Sequence, residues 1–255
     1  MNLISNAIDQ LHAVDYEARS NGWLQRLHPL EKLVVTIVYL VVLVSFSKYQ
    51  LAGMLLMAVY PIALCILGDV SVRLMWRRIW IVLLLVCFIG LFNPFFDHTP
   101  LIRLGSYTLT GGLVSFITLI IKGCLAVMAA YLLMLTTTME ALCQAFRKMH
   151  VPAVLVTVLM LMVRYLMVFL HEVEHMTQAY ALRAPGQRGL HIKVWGSMIG
   201  QLLLRSIDRA ETVYDSMMLR GFQGEFFTER PQRMTRIDWL YTFGWIVLFL
   251  IMRLL

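Results

Sequence analysis

"VPAVLVTVLMLMVRYLMVFLHEVEHMTQAYALRA", residues 151–184, decides how the rest of the chain is read. Its first twenty residues are apolar enough to cross a bilayer, and only Arg164 interrupts them. An arginine near the centre of a membrane costs about 2.5–3.5 kcal/mol on insertion scales. The second half turns charged at His171 and ends on Leu182, Arg183 and Ala184. A span here would also carry the arginine-rich stretch that follows to the outer side. The stretch therefore reads as one long helix buried against protein or lipid headgroups. From Pro152 to Arg183 such a helix extends about 45–50 Å at 1.5 Å per residue.

The surrounding sequence belongs in a membrane. Of 255 residues, 60% are hydrophobic and 15% charged. Mean hydropathy is +0.73, whereas globular proteins carry about 25% charged residues. Apolar runs occur at 33–46, 51–68, 79–92, 113–135 and 239–255, and the fourth is plainly long enough for a bilayer core. Pro29 after His28 opens the first helix, and Pro61 predicts a kink in the second, its freed carbonyl satisfied by a neighbouring helix. Residues 93–112, "NPFFDHTPLIRLGSYTLTGG", read as a loop. The start, with Asp9, Asp15 and Glu17, lacks the basic and apolar order of a cleavable signal. Leu3, Ala7, Leu11 and Val14 recur there at helical spacing, which suits a short interfacial helix.

Positive charge orients the spans. Arg19, Arg26 and Lys32 precede the first; Arg73, Arg77 and Arg78 separate the second from the third; the opposite loops hold only Lys48 and Arg103. By the positive-inside rule the N-terminus is cytoplasmic. About a dozen Lys and Arg between Thr136 and Asp238 keep that region inside, and the last span leaves the C-terminus outside. The expected architecture is an all-α integral membrane protein of about five spans. Residues 1–135 hold the interfacial segment and four spans, 136–235 a cytoplasmic region of long amphipathic helices, and 236–255 the fifth span. The second long helix, Lys193 to Arg220, has an apolar stripe of Trp195, Ile199, Leu202, Ile207, Ala210, Tyr214 and Met217.

Several motifs carry possible chemistry. "HEVEH" at 171–175 places His171 and His175 one turn apart, with Glu172 as a general base for zinc hydrolysis. The extended form of that motif needs a glycine and a third histidine, where this chain has Gln178 and Ala181; His191, Asp208 and Glu211 are left as unsingled ligands. A membrane-embedded zinc metalloprotease is therefore the alternative reading, set against the polar face of an amphipathic helix. Lys122 lies near the middle of the fourth span, an ionisable residue at a depth that marks functional candidates. Gly123, Ala126 and Ala130 beside it form a small-residue stripe for close helix contact, with packing or a membrane partner as its use. Cys65, Cys87, Cys124 and Cys143 stand singly, as packing residues. Seventeen methionines, about ten of them between Met139 and Met234, suit surfaces that repack. No phosphate-binding GxxxxGK[ST] loop is present, no substrate-sized constellation of acids or histidines lies inside the spans, and His12, His28, His98 and His150 have no metal-ligand spacing.

Two stretches match each other: "YALRAPGQRG" at 180–189 and "MLRGFQGEF" at 218–226. Each ends a long helix on Leu-Arg followed by a small residue, Arg183 with Ala184 and Arg220 with Gly221. One cation at a helix C-terminus needs no further reason than the helix dipole. Two near-copies point to two equivalent sockets, and a guanidinium fork suits a carboxylate-lined groove.

With "WLQRLHPLEKL", "LTTTMEALCQAFRKMHVP" and "RYLMVFLHEVEHMTQAYALRA", these motifs resemble the transmembrane T component of energy-coupling factor ABC transporters, in its cobalt/nickel, CbiQ-like form. The likeness implies that Arg183, Ala184, Arg220 and Gly221 end coupling helices that dock into two ATPase subunits. Leu182 and Leu219 stand where the family has alanine, and Ala184 where its first motif has glycine. The resemblance further implies a bacterial inner-membrane location, a separate CbiM-like substrate-binding subunit that carries the metal, and a small accessory membrane subunit. Catalysis then belongs to the ATPases and none to this chain.

Overall fold

The computed structural model describes residues 23–47, 51–68, 80, 83–88, 90–91, 100–104, 107–184, 191–224, 226 and 234–254. The expected interfacial helix before residue 23, the basic break at 69–78 and the stop signal Pro185-Gly186 lie outside them. The chain divides into two compact units. One combines Glu17–Thr138 with Gln232–Leu255, and the other lies within Met139–Pro231.

The first unit contains α1 (Trp23–Arg26), α2 (Pro29–Ser45), α3 (Leu51–Leu56), α4 (Val59–Leu67), α5 (Gly111–Thr136) and, from the chain's end, α9 (Arg236–Leu254). Helix α2 starts as its sequence predicts. Pro29 occupies the first turn, and Nδ1 of His28 accepts from the Leu30 amide at 3.2 Å as the N-cap. The expected kink at Pro61 is a break at Met57–Ala58, between α3 and α4. Proline at 61 removes the amide that would bond the carbonyl of Met57 and crowds that carbonyl. The Tyr39 hydroxyl, from α2, donates to that same Met57 carbonyl at 3.1 Å. Buried Tyr39, Tyr60 and Phe249 stack about this point, with ring centroids 4.6–5.4 Å apart, and join Leu43, Met54, Met57, Leu125, Ala129 and Leu132 in one apolar core.

The predicted loop at 93–112 contains an antiparallel hairpin, β1 (Pro100–Leu104) and β2 (Tyr107–Thr110), with a register shift between Pro100 and Ile102. Apolar Ile102 and Leu104 pair with Leu109 and Tyr107, and polar Arg103 pairs with Thr108, an alternation that the turn formers concealed in the sequence.

The second unit holds α6 (Met139–Lys148), α7 (Ala153–Arg183, 31 residues) and α8 (Ile192–Leu219, 28 residues). Among the described residues, the helices long and apolar enough to cross a membrane are Val114–Thr136, Ala153–Arg183 and Arg236–Leu254. Helix α7 is thus one of them, although the charge pattern reads it as a helix beside the membrane. Length and apolarity alone do not separate the two.

Candidate coupling surface

Helices α7 and α8 pack on each other through a few contacts. Glu172 forms an ion pair with Arg205. The Arg209 guanidinium lies 6.0 Å from the centre of the Tyr165 ring, and Thr157 Oγ1 donates to the Gly224 carbonyl at 3.2 Å. The ion pair engages the glutamate that a zinc protease would need as its base. His171 Nδ1 meets the Met167 carbonyl at 2.8 Å within its own helix. Among the described residues no three His, Cys, Asp or Glu side chains converge, so the geometry offers nothing to the protease reading.

Each long helix ends as its arginine motif suggests, by a different device. Helix α7 stops because Ala184 leaves helical geometry at φ −125°, ψ 65°, while its amide still reaches the Tyr180 carbonyl. Helix α8 closes in a Schellman motif: Phe222 N–H bonds the Met217 carbonyl at 3.0 Å, and Gly221 N–H bonds that of Met218 at 3.0 Å. Gly221 has φ +78°, the left-handed geometry that makes glycine the fitting residue there. Arg183 and Arg220 are both exposed, with no ion pair among the described residues.

The apolar stripe of α8 is only partly covered. Half-buried positions are Val194, Met198, Leu202, Ser206, Val213 and Met217, while Trp195, Ile199, Ile207 and Tyr214 are about half exposed or more. The apolar arc of α8 is wider than one neighbouring helix covers. Gly196 and Gly200, one turn apart, have open space where a Cβ would project. A cavity of about 610 Å³ lies between α7 and α8, lined by Val158, Leu161, Met162, Tyr165, Val213 and Phe222. A second, of about 550 Å³, has Arg164, Arg209 and Arg220 in its wall. In α6, burial and then the nearby Glu140 push the Cys143 thiol above its ordinary value, as suits a packing residue.

In the first unit, Lys122 has a definite task. Its Nζ donates to the carbonyls of Phe46 at 2.6 Å and Val44 at 3.3 Å. Arg253 Nη2 donates to the Ser45 carbonyl at 3.0 Å, with its guanidinium 4.7 Å from the centre of the Phe46 ring. Helix α2 lacks a glycine cap, so two cations satisfy its last carbonyls and complement its negative end. At Gly123 an added Cβ would sit 3.1 Å from Val86 Cγ2, so residues 83–88 approach closely there. Ala126 is half-buried beside the core and Ala130 is exposed.

The sequence reading missed a knot of buried polar groups. Lys32, counted only as a cytoplasmic charge, donates from Nζ to the Thr136 carbonyl at 2.7 Å. Glu31, in the first turn of α2, accepts from the Thr242 hydroxyl. Asp238 accepts from the amides of Thr235 at 2.7 Å and His28 at 3.1 Å. The one available signal was an adjacent Glu-Lys pair at the mouth of an apolar run, a place where isolated charges are costly.

These features define a multi-pass, all-α membrane protein whose second unit presents two long helices ended by exposed arginines. The model of the family described as CbiQ, cobalt transport protein, matches residues 20–233, and the chain belongs to that family, the T components. It is similar to an energy-coupling factor transporter transmembrane protein, EcfT, of Leuconostoc gelidum subsp. gasicomitatum, with 23% identity over 91% of this chain and 94% of that protein. It is also similar to an uncharacterized protein of Methanocaldococcus jannaschii, with 24% identity over 81% of this chain and 74% of its relative.

Proposed function

We propose that this chain is the energy-coupling transmembrane subunit of an ECF-type ABC importer for a transition-metal ion, cobalt first and nickel next. The observation that carries the reading is the pair of long helices in one unit, each ended by an exposed arginine beside a small residue. In this reading the N-terminus and the second unit are cytoplasmic and the C-terminus is outside, as the charge bias favours. Arg183 and Arg220 enter grooves of two ATP-binding cassette subunits, where planar guanidinium forks pair with carboxylates. Closure of the ATPase pair on ATP moves both sockets; the rigid helices shift with them and reorient a separate membrane subunit that holds the metal. The outward apolar arc of α8, with Gly196 and Gly200 open, supports a close partner on that helix. No catalytic group is required of this chain; ATP hydrolysis belongs to its partners.

The test is co-purification in mild detergent. Arg183→Glu with Arg220→Glu is expected to insert normally and lose both ATPases. Undiminished recovery of the ATPases with the double variant would sink the reading.

A further inference from the structure

A short segment of the first unit grips the chain at both places where it passes between the units. The chain leaves this unit at Thr138 and returns at Gln232. Two residues before the exit, the Thr136 carbonyl accepts from Lys32 Nζ at 2.7 Å. Three residues after the return, Thr235 N–H donates to Asp238 at 2.7 Å, and that carboxylate also takes the His28 amide at 3.1 Å. Glu31, between them, holds Thr242 one turn further along α9. His28, Glu31, Lys32 and Asp238 are each no more than 5% exposed.

Stability alone does not call for this arrangement, because well-packed apolar residues are often as stabilising as buried ions. What charged hydrogen bonds add is direction. An apolar contact tolerates sliding, whereas a buried donor that drifts from its acceptor is left unsatisfied in a poor solvent. Two loose connections would absorb a displacement of the second unit, as flexible linkers do. Anchored connections pass it on as a rigid-body movement.

We infer that Lys32 and Asp238 are positioning residues for energy coupling: they clamp the outgoing and returning connections to one point, so that movement of the arginine-ended helices reaches the membrane helices. The inference rests on the coupling role proposed above. The test uses the full complex with its ATPases and follows amide hydrogen exchange with and without a non-hydrolysable ATP analogue. With the native chain, nucleotide alters exchange both in residues 139–226 and in the membrane helices. Lys32→Met is expected to keep the first response and reduce the second at least fivefold, and Lys32→Arg to restore it. A membrane-helix response of native size in Lys32→Met overturns the inference. Should that variant fail to accumulate, Asp238→Asn, which keeps an acceptor oxygen, is read by the same two responses. A native complex with no nucleotide response in 139–226 would instead remove the coupling role itself, and this inference with it.

Discussion

Lys32 Nζ sits 2.7 Å from the carbonyl of Thr136, joining the first turn of α2 to the last residue of α5 across 104 positions of sequence. The ammonium satisfies a carbonyl that a helix end leaves without a partner. Asp238 in turn receives two backbone amides. Lys32→Met leaves the Thr136 carbonyl buried without this donor. It is expected to lower the stability of the membrane unit by about 1–3 kcal/mol, the usual cost of a buried polar group left unpaired. Thermal unfolding in detergent would check it; a change below about 1 kcal/mol would contradict the arrangement.

Tyr39 and Pro61 act on one carbonyl. Proline at 61 frees the Met57 oxygen, and the Tyr39 hydroxyl takes it at 3.1 Å. Tyr60 N–H also reaches that carbonyl at 3.4 Å, so Tyr39→Phe should cost about 0.5–1.5 kcal/mol, the net worth of one hydrogen bond. In a Pro61→Ala background the new amide can reach Met57, so the same substitution should cost less. A double-mutant cycle measured by unfolding in detergent is expected to show a coupling of about 0.5–3 kcal/mol; strictly additive effects would separate the two residues.

Two helix ends in the second unit use the left-handed backbone with different residues. Gly221 has φ +78° and His150 has φ 64°. A left-handed residue with a Cβ carries a strain of about 1–2 kcal/mol. Gly221→Ala should therefore destabilise the unit by roughly that amount. His150→Gly should be neutral or stabilise it by up to about 1 kcal/mol, since relief of strain is partly offset by a more flexible unfolded chain. Thermal melting of the two variants checks this: Gly221→Ala lowers the melting temperature, and a comparable loss from His150→Gly would contradict the caps.

Arg183 and Arg220 are exposed and carry no ion pair among the described residues, so their substitution should leave this chain's own stability within about 0.5 kcal/mol. Lysine at either site keeps the charge and loses the planar fork. Arg183→Lys and Arg220→Lys are expected to weaken ATPase co-purification, more so as salt is raised, because exposed charge pairs are screened. Salt-independent retention of the ATPases by the lysine variants would argue against carboxylate-lined sockets.

The Glu172–Arg205 pair joins α7 to α8 at the surface, with the arginine side chain half exposed. Such pairs contribute about 0–1 kcal/mol. Glu172→Ala should be nearly silent in unfolding measurements and should not alter the metal content of the purified chain. Stoichiometric zinc that disappears with Glu172→Ala or His171→Ala would reopen the hydrolytic reading.

Local order left a clear trace in the chain itself. Pro29 after His28 marked where α2 begins, Gly221 marked where α8 ends, and the apolar runs at 113–135 and 239–255 marked two helices long enough to cross a membrane, because capping and burial act over a few adjacent residues. Arg183 and Arg220 were visible for the same reason: a repeated motif at a helix end is a one-dimensional object. The partner of a buried charge is not. Glu31, Lys32 and Lys122 look alike in sequence, as charges near apolar runs, and only the packed helices assign Thr242, Thr136 and the carbonyls of Val44 and Phe46 to them. The direction of the α8 stripe was hidden in the same way. Periodicity shows that a helix has an apolar face, but how much of that face is covered depends on the width of its neighbour, and here Trp195, Ile199 and Tyr214 stay open. Spacing along the chain sets which groups need partners; distance in three dimensions decides which partners they get.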